Sequence, residues 1–153
     1  MSRPAVPPDP SSVYDDDPTI GDDELLYRMV TRQNTSYGDD GTAQRGATNA
    51  FQDLPSDRLD RVGAPAVAVS VFLDSELRSN GLSADDLVQS WGPKYGVVSI
   101  HARDARNEDQ GIVRWRVPDQ PGHAMIFSLS GSKKTGGQSK RLAKASVVVI
   151  APG

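Results

Sequence analysis

The chain has 153 residues, no cysteine and a formal net charge of −3; this length favours one domain, and the missing thiols exclude disulfides and thiolate metal sites. No apolar run approaches the ~18 residues of a membrane helix and the N-terminus has no apolar signal core, so a cytoplasmic protein without membrane attachment is expected. Residues 1–24 hold five prolines and carry Asp9, Asp15, Asp16, Asp17, Asp22, Asp23 and Glu24 against Arg3 alone, a local charge of −6 that leaves +3 for the rest. Such a segment buries too little apolar surface to offset its ordering entropy. The expectation is a disordered acidic, proline-rich leader over 1–24 and a single α+β domain over 25–153.

Leu25–Thr31 (LLYRMVT) opens the domain as a strand, because Tyr27, Val30 and Thr31 favour a pleated surface. Residues 32–64 read as a long loop punctuated by Gly38, Asp39, Asp40, Gly41 and Gly46. Ordered loops of that length are often functional. Ala66–Leu73 (AVAVSVFL) is the clearest strand. Val67, Val69, Val71 and Leu73 share one face and Ala68, Ser70 and Phe72 the other, so both faces are expected to be covered. Asp74-Ser75-Glu76 opens a helical turn. Ser83 caps a better helix, with Asp85 and Asp86 in its first turn where negative charge suits the helix dipole. Gly92-Pro93 ends that helix, and Leu87, Val88 and Trp91 supply its buried side.

Further strands follow at Gly96–Ala102 (GVVSIHA), at Ile112–Val117 (IVRWRV) and at His123–Leu129 (HAMIFSL). In the second of these, Val113, Trp115 and Val117 point inward and Arg114 and Arg116 outward. Arg103 to Gln110 is a charged connection. Gly131–Gly137 reads as a flexible loop, Ser139–Ala145 has helical spacing, and Ser146–Ala151 (SVVVIA) closes the chain as a strand. Five or six strands and two or three helices, with the second half antiparallel in pattern, predict an α+β fold. Its core would be a single mixed, largely antiparallel sheet.

Only two histidines are present, His101 and His123, and each is a candidate acid or base. Their spacing matches no metal-ligand pattern, so no metal site is expected. Gly131-Ser-Lys-Lys-Thr-Gly-Gly137 is not a phosphate loop, because its lysines precede the second glycine and Gly137-Gln138 stand where Lys and Ser or Thr are needed. It remains a basic loop feeding a helix N-terminus. Lys133, Lys134, Lys140, Arg141 and Lys144 fall within residues 131–145 with no acid among them. With Arg114 and Arg116 they form a candidate surface for nucleic acid or an acidic protein partner. That surface would also attract the chain's own leader. Aromatic residues are missing from it, which counts against single-stranded nucleic acid.

The last constellation is Arg28 on the first strand with Arg45, Asn49, Phe51 and Asp53 from the long loop. Leu26-Tyr27-Arg28, Ala50-Phe51-Gln52-Asp53, Ser70-Val71 and Gly122-His123-Ala124 together resemble a group of small bacterial proteins, a resemblance that spans most of residues 25–150 and implies no activity. Arg28 on an opening strand also resembles the start of ADP-ribosyltransferase-type folds, where such an arginine holds the dinucleotide phosphate. No late glutamate stands in a catalytic strand motif, since Glu108 lies in the charged connection and Glu76 follows the clearest strand. The leading expectation is a binding or accessory protein that works by surface recognition through the basic patch, with no cofactor. The alternative is a nucleotide- or phosphate-handling enzyme in which Arg28 and His123, joined by His101, act beside the ligand-binding residues Arg45 and Asn49.

Overall fold

Strand β1 (Leu25–Val30) lies inside the sheet because both its sides are mostly apolar, Leu26 and Val30 on one and Tyr27 and Met29 on the other. In the computed structural model, which describes residues 15–52, 68–115, 118–130 and 134–153, β1 runs antiparallel to β4 (Val69–Leu73) and to β5 (Gly96–His101). β7 (His123–Ser128) continues the sheet beyond β4 and β6 (Gln110–Arg114) forms that edge, while β8 (Val147–Ile150) forms the other. The strand order is β6-β7-β4-β1-β5-β8. Every ladder is antiparallel, so the sheet is not mixed as expected.

Helices cover both faces. On one, Leu26, Val30, Val69, Val71, Leu73, Val98, Ile100, Ala124 and Ile126 pack beneath α3 (Ala102–Arg106), α4 (Gly136–Ala145) and a 3₁₀ turn at Thr48–Phe51. On the other, Tyr27, Met29, Phe72 and Val97 pack beneath Leu77 of α1 (Asp74–Ser79) and Ala84 and Leu87 of α2 (Ala84–Trp91). Val69 and Val71 are fully buried, as is Ala68 on the opposite side, so β4 is covered on both faces as its composition predicts. No helix among the described residues is long and apolar enough to cross a membrane.

Four α-helices form among the described residues, where two or three were expected. The addition is α3, inside the charged connection. Asp104 accepts from the His101 backbone N–H at 2.8 Å, and Ala102 and Ala105 present a small apolar face to the core. α4 begins three residues before its periodicity does. The Thr135 hydroxyl accepts from Gln138 N at 3.1 Å and the Gln138 side chain accepts from Thr135 N at 2.7 Å. That reciprocal cap carries the helix through Gly136 and Gly137. The long loop is also structured. β2 (Thr35–Tyr37) and β3 (Ala43–Gly46) form a separate hairpin, turned by Gly41 at φ +79°, a conformation that only residues without strain at positive φ adopt readily.

The leader boundary needs correction. Residues 15–24 are not disordered: Ile20 is buried in the main core, and Asp17 N donates to Ile112 O at 2.9 Å along the β6 edge. Arg106 holds Asp16 at 2.9 Å and Asp22 at 2.7 Å. Composition misled here because Asp16, Asp17, Asp22 and Asp23 are met by Arg103, Arg106 and Arg114, brought from elsewhere in the chain. Residues 1–14 lie outside the described residues, as do Asp53, Ala66, Val67, Arg116, Val117 and the loop 131–133 with Lys133.

Candidate functional site

The residues expected to line one enzymatic pocket stand in different places. Arg28 pairs in register with Val98, and Leu26 with Leu73, on the face covered by α3 and α4. His123 pairs with Phe72, and Phe72 with Tyr27, on the opposite face. The sheet itself therefore separates the guanidinium from the imidazole. His101 lies on the His123 face, two residues beyond Ser99, which pairs with Tyr27. Two strands separate β5 from β7, a spacing of about 14 Å. No shared site for Arg28, His101 and His123 exists in this fold.

Local contacts explain both histidines. His123 is buried, and its Nδ1 donates to the Trp115 carbonyl at 2.8 Å. Its ring meets the Phe72 ring edge-on at a centroid distance of 5.6 Å. Burial pushes the imidazole pKa below its ordinary value, outweighing the Trp115 bond, which raises it. His101 is half-exposed at the start of α3, with Nδ1 3.9 Å from Asp104. Asn49 donates to Gln33 O at 3.1 Å and ties two 3₁₀ turns together.

The basic patch divides just as sharply. Arg114 is not an outward cation: it bonds Asp17 at 2.8 Å, Glu76 at 3.2 Å and the Thr19 hydroxyl at 2.6 Å. The chain's own acidic segment thus takes this arginine, as the charge pattern anticipated, but it docks on β6 and α3 rather than on α4. Arg141 pairs with Glu108 at 2.6 Å. Lys134 is buried beside the start of α4 and is not part of an open surface.

Lys140 and Lys144 remain, and they meet Arg45. α4 presents both lysines one turn apart on the side that faces the β2–β3 hairpin, and Ser36 pairs with Arg45 across that hairpin. Gly46 N donates to the Ser146 hydroxyl at 2.8 Å, which fixes the hairpin against the end of α4. Between them lies a cleft of about 350 Å³ lined by Thr35, Ser36, Arg45, Gly46, Ala47, Thr48, Lys140, Ala143 and Lys144. Three cations and no carboxylate line it. None of the three makes an ion pair among the described residues. Arg45 and the lysines were assigned to separate roles from the sequence. Their convergence depends on a hairpin whose only sequence signal was Asp40-Gly41 between two short polar runs.

Among the described residues no group of three or more His, Asp or Glu side chains is placed to hold a metal ion. Comparison with protein-family models, curated proteins and solved structures gives no match.

Proposed function

We propose that this protein is a binding or accessory protein that recognises an anionic group of a macromolecular partner, nucleic acid or an acidic protein, through the cleft of Arg45, Lys140 and Lys144. The single observation behind this reading is the convergence in one cleft of three cations that make no ion pair among the described residues, while Arg103, Arg106, Arg114 and Arg141 each hold an acid. Ser36 and Thr48 add hydroxyls that suit phosphate or carboxylate oxygens. The cleft would take one or two anionic groups of its partner, because Arg114 and Arg141 of the patch are already paired and Lys134 is buried.

Salt dependence measures how many cations take part. Each phosphate neutralised contributes roughly −0.7 to −0.9 to the slope of log K against log salt. Three cations give a slope of about −2 to −3, and the full seven-residue patch would give about −5 to −6. Fluorescence anisotropy with a labelled double-stranded DNA 12-mer and with a labelled poly-glutamate peptide measures both affinity and slope. The combined Arg45→Ala, Lys140→Ala and Lys144→Ala variant is expected to weaken binding by about ten-fold or more, with Arg141→Ala near wild type. Unchanged binding in the triple variant, or a slope near −6, would discard this reading.

A further inference from the structure

Helices α1 and α2 do not close completely over their face of the sheet. Between them and the turn at 118–122 lies a cavity of about 200 Å³ with a floor of Phe72, Leu77, Leu82 and Leu87. Phe72, Leu77 and Leu87 are buried core residues, so the space reaches into the packed interior. Its mouth is marked by exposed residues, Ser90 on α2 and Asp119 and Pro121 on the turn. An apolar cavity of roughly 150 Å³ is enough to take a benzene ring, so this one fits a single ring with a short chain. Walls that face empty space forgo dispersion contacts, and an apolar group that enters recovers them.

The walls are fixed before anything enters. The Leu73 N–H donates to the Gly122 carbonyl at 2.8 Å. A Cβ at Gly122 would stand 3.1 Å from the Leu73 carbonyl oxygen and 3.5 Å from the Leu77 side chain. The turn is thus seated directly on the start of α1, at a glycine with φ +80°. Phe72 is held by two near-perpendicular rings, Trp91 at 6.2 Å and His123 at 5.6 Å between centroids.

Charge at the rim has one sign. Asp86 and Asp119 line the cavity, and no lysine or arginine is among its described lining residues. Asp86 Oδ2 accepts from the Ser83 N–H at 2.8 Å and from the Ser83 hydroxyl at 3.2 Å, which fixes that carboxylate in place. The imidazole of His123, against Phe72, is pushed by burial below its ordinary pKa and stays neutral at neutral pH. A cation at the mouth therefore meets two carboxylates and an aromatic ring, whereas an anion meets only repulsion.

We propose that this cavity is a binding site for a small molecule with an apolar, ring-sized body and a protonated amine. The body sits against Phe72, Leu77, Leu82 and Leu87, and Asp86 and Asp119 hold the ammonium at the rim. The site shares no residue with the basic cleft and lies on the opposite face of the sheet from α4. The two readings therefore stand or fall separately.

The test uses the full chain with ¹³C-labelled leucine methyl groups at neutral pH and constant ionic strength. It is titrated with phenethylamine, with the neutral phenethyl alcohol and with the anionic hydrocinnamate. The Leu82 and Leu87 methyl signals are expected to move saturably with the amine, about ten-fold more tightly than with the alcohol and least with the anion. Asp86→Asn combined with Asp119→Asn keeps the shape of the rim, and asparagine tolerates the φ of +65° at position 119. This variant is expected to bind the amine no better than the alcohol. Ser90→Leu, at an exposed helical position, closes the mouth and is expected to abolish binding of all three while leaving the thermal midpoint nearly unchanged. Methyl signals that stay still with millimolar amine overturn the proposal. So does an amine that binds no tighter than the alcohol, or amine binding that either variant leaves unchanged.

Discussion

Arg103, Arg106 and Arg114 stand at the β6 edge with Asp16, Asp17, Asp22 and Asp23 against them, whereas Arg45, Lys140 and Lys144 face their cleft beside β8 with no acid among its lining residues. The two regions are alike in cationic content. They differ in whether the fold returns an acidic segment to them. At β6 the arginines hold residues 15–24 in place and shield a sheet edge, which natural proteins cover to avoid edge-to-edge association. At the cleft the same charge is left facing outward. Basic residues therefore become structural or recognitive according to their partners, and counting them separates neither role from the other.

Four measurements would break or sharpen this contrast, beginning with the largest expected effect. Ile20 anchors the acidic segment in the main core, so Ile20→Ala should cost about 2–4 kcal/mol, as other large-to-small core changes do. Chemical denaturation of the full chain measures it, and a loss below about 0.5 kcal/mol would show that the segment rests on the surface by charge alone.

Arg106 binds Asp16, Asp22 and the carbonyls of Asp17 and Ile20. Replacing it with Met leaves those acceptors unpaired and should cost roughly 1–3 kcal/mol. High salt should recover little of that loss, because hydrogen bonds to carbonyls are not screened as exposed ion pairs are. If 1 M NaCl weakens the wild type to the level of the variant, the contact is mainly long-range charge.

Acid titration tests two groups in separate windows. His123 has its pKa lowered from 6.5 by burial. The unfolded chain therefore takes up a proton below about pH 6.5 before the native state does, and stability falls as pH decreases through that range. His123→Asn should flatten this limb of the stability profile. For Asp17, burial raises the pKa, but the Thr19 bonds and Arg114 outweigh it and the net direction is downward from 3.8. Its contribution is present above that value and is lost as pH falls further, so Asp17→Asn should alter only the more acidic limb. A single common limb removed by either variant would contradict these assignments.

The smallest effect on stability belongs to the cleft. Arg45, Lys140 and Lys144 make no ion pair among the described residues, so their combined replacement by Ala should change the unfolding free energy by no more than about 0.5 kcal/mol. A gain in stability would be the sharper result, since three mutually repelling cations would have been removed. A loss of several kcal/mol would show that they serve the fold.

Much of the framework was legible before any coordinates. The alternation of Val69, Val71 and Leu73 against Ala68 and Phe72 identified a strand covered on both faces, and it is. Ser83 with Asp86, and Gly92 at φ +122°, bound α2 where the residues had placed its ends. α3 escaped notice because five residues are too few to show a helical period, and its Asp104 cap looks like one more charge in a charged run. The candidate sites were legible only in part. Arg28, Arg45, Lys140 and Lys144 were each singled out, but they were grouped by nearness in sequence or by chemical kind. Arg45 belongs with the lysines, and Arg28 lies across the sheet from His123.

Local periodicity and capping determined α2 and the strands β1, β4, β5, β7 and β8, though not α3 or the β2–β3 hairpin, because side-chain alternation and helix caps depend on residues a few positions apart. The α+β class followed from their order. Pairing of charges was decided only by the tertiary structure. The acidic segment reaches Arg106 from some 90 residues away in the chain, and Arg45 faces Lys140 from slightly farther. Sequence distance carries no information about such meetings. A cation's role depends on which acids the folded sheet brings within a few ångströms, and Coulomb attraction at that range is several times stronger in a half-buried setting than in water.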